Sequence, residues 1–223
     1  MSDAGMMMGV ITGDLHNSST DSQRGIPYLR IMEVMLDKIL KNKYLRVSEV
    51  DFFRGDSFQI TSNDPIHLLS VAVYIRAYLR SYSDDSDDGG KYDSKLAISI
   101  DRYNKYKRNV NSVFESAQIK SGRRFELIES NEMMAFDSSI GELNEIYLPS
   151  IILLDSLMSM LSKPQSEILR ELVYNRDKSV SSLSLELGKS KQAVYKTIKR
   201  GGVDKIMTFL DVNFNLSSVR FFN

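Results

Sequence analysis

The chain has 223 residues, 42% of them hydrophobic and 26% charged, and it contains no cysteine. That length suits one full domain plus a smaller one, with enough buried surface to need no disulfide or metal staple. The absent cysteine excludes disulfides, thiolate metal sites, iron–sulfur clusters and cysteine nucleophiles, and with only His16 and His67 a histidine-rich metal centre is excluded too. The formal net charge is zero but unevenly spread: residues 163–205 hold ten Lys or Arg against five acids, and the first 162 residues carry the compensating acidic excess. Such asymmetry points to a C-terminal piece with its own partner, nucleic acid among the candidates, against a plain solvated basic surface. No apolar run reaches the roughly 20 residues that span a bilayer. The start, MSDAGMMMGV, lacks a basic n-region, so no signal peptide is expected. The expectation is a cytoplasmic protein with no membrane partner.

In chain order, Met8 to Asp14 (MGVITGD) is short, apolar and β-branched, and reads as a buried strand that delivers a carboxylate to its C-terminal edge. Tyr28, Leu29, Ile31, Met32, Met35, Leu36, Ile39 and Leu40 recur at helical spacing, with Pro27 near the first turn. Val47 to Phe53 and Phe58 to Thr61 read as strands joined by Arg54-Gly-Asp56, a tight-turn signal that predicts a hairpin with Asp56 at its tip. Asn63-Asp-Pro65 starts a helix to about Tyr82. The acidic run from Ser83 to Gly90 reads as a loop tip whose aspartate spacing is not that of an EF-hand. Leu96 to Ile100 predicts a fourth strand. Residues 110–129 are helical in pattern with a break at Ser121-Gly-Arg123, and Met133 to Asp137 predicts a fifth strand.

The order β-α-β-β-α-β-α-β predicts an α+β fold, a ferredoxin-like antiparallel sheet with helices on one face, over residues 1–139. From 140 to 223 the pattern is all helical. Leu148 to Leu161 is a strongly apolar helix, and Pro164 opens another. Ser179 to Gly188 is a short helix stopped by glycine, Ser190 to Arg200 a second, and Val203 to Phe214 a last amphipathic one. The run from Leu148 to Leu161 is too apolar for one exposed face of a monomer, which predicts a homodimer.

Two constellations carry chemistry. The first is a helix-turn-helix candidate over 179–200. Leu183, Leu187, Ala193, Val194 and Ile198 are expected to be inside, with Gly188 in the left-handed turn position. Lys189, Lys191, Gln192, Tyr195, Lys196, Lys199 and Arg200 are left outside. If the pair binds double-stranded DNA, Lys191 and Gln192 are placed to meet base edges and Lys196, Lys199 and Arg200 to meet phosphates. The plain alternative is a helical pair with a basic, solvated face.

The second is the pair Gly13-Asp14 and Gly55-Asp56, two carboxylates that each follow a glycine at a predicted strand edge. Hard oxygen ligands of this kind suit magnesium or manganese when phosphates complete the coordination shell. The glycines would let backbone approach a phosphate closely. The alternative is two turn aspartates without a metal. No Walker loop, dinucleotide fingerprint or nucleophile elbow occurs.

Thr12-Gly-Asp-Leu15, a helix, and Phe53-Arg-Gly-Asp-Ser-Phe-Gln59 in a hairpin resemble the SatD family of bacterial proteins, itself similar to the class III nucleotide cyclase and polymerase-palm fold. The resemblance extends to Ser121-Gly-Arg123. From Leu153 onward the chain resembles the DNA-binding tail that some of these proteins carry. It implies that Asp14 and Asp56 hold metal under a nucleotide, with Gly13, Gly55 and Arg123 at the same site. The pattern departs where cyclases carry an Asn and an Arg that stabilise the transition state: Phe114 and Gln118 stand there instead. The expectation is a DNA-binding regulator with a cyclase-like sensing domain that binds its ligand without turnover. The alternative is a metal-dependent nucleotidyl cyclase, or related phosphotransfer enzyme, whose tail only dimerises.

Overall fold

The computed structural model describes residues 6–16, 22–53, 55–83, 92–103 and 117–220. Arg54, Phe114, the acidic run after Ser83 and residues 110–116 of the expected helical pattern lie outside the described residues.

β1 (Met6–Leu15) shows how the sheet is built. Its side chains alternate, so Ile11 and Leu15 enter the main core while Thr12 and Asp14 point to the opposite face. β1 is the central strand. It pairs antiparallel with β3 (Ser57–Ser62) on one side and β4 (Ser94–Tyr103) on the other. β2 (Glu49–Phe53) extends the sheet beyond β3, and β5 (Met134–Asp137) joins β4 in parallel, giving the order β2-β3-β1-β4-β5. The sheet is therefore mixed rather than fully antiparallel, because the chain returns from β4 through a helix before β5. Gly9 is required by close packing: a Cβ there would stand 2.2 Å from Leu68 and 2.7 Å from Pro65.

α1 (Ser22–Lys41) and α2 (Leu68–Arg80, entered through a 3₁₀ turn at Pro65–His67) cover the apolar face. α3 (Ala117–Glu126) crosses the other face, where Ala117 packs on Met8 and Val10. Helices thus lie on both faces. The expected break at Ser121-Gly-Arg123 is absent: α3 runs through it, with Ser121 buried against Thr12 of the sheet.

α4 (Gly141–Met160) starts seven residues earlier than its apolar run and packs on β5 and α2. α5 (Lys163–Tyr174) lies against the outer side of α2, so every residue of α2 is buried. α6 (Val180–Glu186), α7 (Lys191–Arg200) and α8 (Val203–Arg220) close the tail. One continuous core runs from Ile11 to Leu210. Among the described residues, no helix is long and apolar enough to cross a membrane.

Candidate functional site

The polar face of the sheet gathers the sequence-predicted carboxylates. Asp14 lies opposite Ser57 in the β1–β3 register and opposite Lys95 in the β1–β4 register. Ser57 Oγ donates to Asp14 Oδ1 at 2.7 Å. The turn between β2 and β3 folds over the end of β1, where Leu15 N donates to the Asp56 carbonyl at 3.2 Å. Gly55 adopts φ +85 in that turn, a conformation that favours glycine. Burial raises the Asp14 pKa. Ser57's hydrogen bond opposes the rise, and Asp56 adds to it through its charge and through a side-chain hydrogen bond. The nearby His16 pulls the other way. His16 is only partly exposed.

Gly13 does a different job from the one expected. It faces the apolar side of the sheet, and a Cβ there would meet the Phe58 ring at 2.4 Å. Alternation along β1 puts it away from Asp14, so it makes room for the core rather than for a phosphate.

A chain of hydroxyl bonds ties the same face to α3. Gln59 Nε2 donates to Thr12 Oγ1 at 3.2 Å, Thr12 and Ser121 hydroxyls meet at 2.8 Å, and Ser121 Oγ donates to the Gln118 carbonyl at 2.9 Å. Ser121 has one proton, already given to Gln118, so Thr12 is the donor of the middle bond. Gln118 is thus anchored beside the face that bears Asp14. The cations of α3 divide. Lys120 pairs with Asp137 at 3.6 Å and Arg124 with Glu132 at 3.7 Å, whereas Arg123 is exposed with no ion-pair partner among the described residues. No group of three or more His, Asp or Glu among the described residues is placed to share a metal ion, so any cation here depends on two carboxylates and on ligand oxygens.

Sequence reasoning missed a buried network behind this site. Arg76 bonds Asp93 twice and Asp155 once, at 2.6–2.9 Å, and Arg80 reaches Asp93 at 2.9 Å. Asp155 accepts the Met133 and Met134 amides at 2.9 and 3.2 Å, which fixes α4 to the start of β5. Burial alone would raise the Asp93 pKa, but the Arg76 and Arg80 charges outweigh it and hold the carboxyl below its usual value. His16 N donates to the Asp93 carbonyl at 2.9 Å, and Ser94 Oγ to the Asp14 carbonyl at 2.7 Å, so the network ends beside Asp14.

In the tail, Ser179 and Ser190 cap α6 and α7 by accepting from Ser182 N at 3.1 Å and Ala193 N at 3.2 Å. Gly188 sits at φ +60 between the two helices. α7 buries only Val194 and Ile198. Ala193, expected inside, is exposed because the helix meets its neighbours along one narrow stripe. Lys191, Gln192, Tyr195, Lys196 and Arg200 project outward. Lys189 and Lys199 also lie on the surface but pair with Glu167 at 3.4 Å and Asp204 at 2.7 Å.

No protein-family model matches the sequence, no curated protein matches it, and nothing in these comparisons points to the SatD family. Among solved structures, the chain is weakly similar to the active GGEEF domain of a diguanylate cyclase from Vibrio cholerae. The TM-score is 0.39 and the identity 10%, over 53% of this chain and 76% of that one. That likeness bears on no residue's role.

Proposed function

We propose that Asp14 and Asp56 hold a magnesium or manganese ion beneath the phosphates of a nucleotide, and that the chain binds this ligand without turning it over. The observation that carries the reading is the turn that folds Asp56 over the end of β1, where Leu15 N donates to the Asp56 carbonyl at 3.2 Å, so that burial and, beyond it, the Asp56 charge raise the Asp14 pKa. Two carboxylates brought together in this way repel each other. A divalent cation removes that repulsion, and hard oxygen donors are the donors it prefers. Phosphate oxygens complete a shell that two carboxylates leave open. The exposed Arg123 supplies a cation for the outer phosphates. Binding without turnover follows from Gln118 and Phe114 standing where the resemblance to cyclases implies transition-state groups, and from Arg124 being engaged by Glu132. Melting curves with magnesium and ATP or GTP test the reading. A rise in the wild type that the Asp14→Asn/Asp56→Asn variant lacks, without pyrophosphate release, supports it. Steady pyrophosphate release lost in Asp56→Asn establishes the cyclase alternative instead.

A second reading concerns the tail: α7 serves a DNA-binding role in a cytoplasmic, homodimeric regulator. Its support is the exposed set Lys191, Gln192, Tyr195, Lys196 and Arg200 on a capped helix that follows a tight turn. Ligand binding at the sheet would then reset the spacing of two such helices in the dimer.

A further inference from the structure

We infer that the cavity between the loop after α1 and the helical tail is a second binding site, one that takes a small phosphate-bearing ligand without a metal. The cavity has a volume of about 290 Å³ and is lined by Lys43, Tyr44, Arg46, His67, Arg176 and Asp211. That is the size of a compact small-molecule site. Three cationic side chains face it against one carboxylate.

The walls are fixed before any ligand arrives. Asn42 Oδ1 accepts Tyr44 N at 2.8 Å and Leu45 N at 3.1 Å, while its Nδ2 donates to the Tyr174 carbonyl at the end of α5 at 2.8 Å. One asparagine therefore locks the loop from 43 to 46 onto the tail. Tyr44 OH donates to Asp177 Oδ2 at 2.6 Å, and Lys43 Nζ sits 4.8 Å from the centre of the Tyr44 ring. Arg46 is held at φ +48, an uncommon conformation for a residue with a side chain, by Ser62 Oγ donating to its carbonyl at 2.9 Å. Its guanidinium reaches Asp64 at 2.9 Å. Arg176 is aimed by a bond to Ser70 Oγ at 2.9 Å and pairs with Asp211.

Arg176 is the anchor. Burial lowers its pKa, and Asp211 offsets only part of that effect, so the guanidinium is a desolvated cation whose surroundings under-compensate it. The side chain of Asp211 is 64% exposed, so it can yield its place to a better-placed anion. A phosphate monoester offers Arg176 a planar two-point contact and leaves a third oxygen for Lys43. Asp64 and Asp177 are committed to Arg46 and Tyr44 on the walls. Burial lowers the His67 pKa, so the imidazole brings a neutral ring rather than a fourth charge. The Tyr44 ring supplies a flat surface for the organic part of the ligand.

Because the metal reading at Asp14 and Asp56 requires a divalent cation, calorimetry on the full chain in EDTA isolates this cavity. The probes are inorganic phosphate, AMP and adenosine. AMP and phosphate bind, AMP more tightly, and adenosine does not. Arg176→Gln weakens AMP by about tenfold or more, the loss expected for one charge-assisted contact. Lys43→Gln, a surface change that leaves folding intact, weakens it several-fold. The Asp14→Asn/Asp56→Asn variant binds like the wild type. No heat from either phosphate-bearing probe at millimolar concentration overturns the proposal, as does AMP binding that both Arg176→Gln and Lys43→Gln leave unchanged. Binding lost in the Asp14→Asn/Asp56→Asn variant instead assigns the phosphate to the sheet site and removes this one.

Discussion

Arg76 meets Asp93 with two arms of its guanidinium, Nε to Oδ1 and one terminal nitrogen to Oδ2, each at 2.9 Å, and neither side chain is more than 4% exposed. The remaining terminal nitrogen reaches Asp155 at 2.6 Å, and Arg80 shares Asp93. Two arginines and two aspartates thus form a neutral buried cluster that joins α2, the entry to β4, and α4. In a low-dielectric interior such a cluster is stable only when complete.

Arg76→Met tests that completeness. It leaves the Asp155 carboxylate without its ion-pair partner and Asp93 with Arg80 as its one remaining cation in the cluster, and losing one partner of a buried pair costs about 3–5 kcal/mol. Urea unfolding followed by circular dichroism will show the lower midpoint. The pH dependence carries a sign. The folded pKa of Asp93 is lowered, so its stabilisation is present above the ordinary value of 3.8 and disappears as pH falls through the lower folded value. Wild-type midpoints therefore drop as the medium is acidified below about pH 4. A flat midpoint across that window contradicts the assignment.

Asp14 has the opposite sign. Its folded pKa is raised, so its contribution is intact below 3.8 and is lost as pH rises through the raised value. At neutral pH the Asp14 charge therefore works against the fold. Asp14→Asn keeps an acceptor for Ser57 and removes that charge, so it raises the melting temperature at pH about 8 more than at pH about 4. A proton competes with a cation for this pair, so the rise given to the wild type by magnesium and nucleotide also grows with pH. A variant that melts with the wild type at both pH values removes the repulsion.

These two clusters mark how far the sequence could be read. Asp14 and Asp56 were legible because each follows a glycine at a strand edge, and the hairpin between Phe53 and Phe58 sets their approach within a few residues. Arg76, Arg80, Asp93 and Asp155 were not. They are spread over 80 positions and come from three separate elements, and nothing local distinguishes a buried arginine from the solvated kind that α2's spacing suggests. What buries them is the packing of α4 and α5 on α2, a long-range arrangement with no local signal. The misread break at Ser121-Gly-Arg123 has the same origin: packing on the sheet overrides a weak glycine penalty of about 1 kcal/mol. The Arg176 cavity was hidden likewise, since its lining comes from residues 43 to 211.

α4 keeps the apolar character that predicted an interface. Leu148, Ile152, Leu153 and Met160 are 40%, 64%, 68% and 72% exposed, and from Ile146 to Met160 the only charge is the buried Asp155. A second copy offers the same uncharged stripe, and two such helices can cross about a two-fold axis with the small Ser156 near the contact. Light scattering at micromolar concentration is expected to give the mass of a dimer. Ile152→Glu with Leu153→Lys gives a monomer whose circular dichroism spectrum is unchanged. A monomeric wild type withdraws the homodimer.

The tail reading rests on cations whose contributions can be separated. Lys191, Lys196 and Arg200 are exposed on α7 without an ion-pair partner among the described residues, whereas Lys199 is drawn to Asp204 at 2.7 Å. The hydrogen bond to Asp204, then that carboxylate's charge, hold the Lys199 pKa above its usual value, so binding a phosphate would require that contact to be exchanged. If α7 lies along duplex DNA, each free cation that meets a phosphate releases counterions and adds about 0.9 to the slope of log affinity against log salt. Lys191→Ala, Lys196→Ala and Arg200→Ala combined should therefore flatten that slope by two to three units and weaken binding to every duplex alike. Lys199→Ala should change it by less than one unit, because the wild-type lysine must first leave Asp204. Gln192→Ala should leave the slope alone and alter preference among sequences, as a base-edge contact would. Fluorescence anisotropy with labelled duplexes over a salt series measures all three. Wild-type binding that is absent at low ionic strength, or a triple variant with the wild-type slope, takes DNA away from α7 and leaves it a solvated helix.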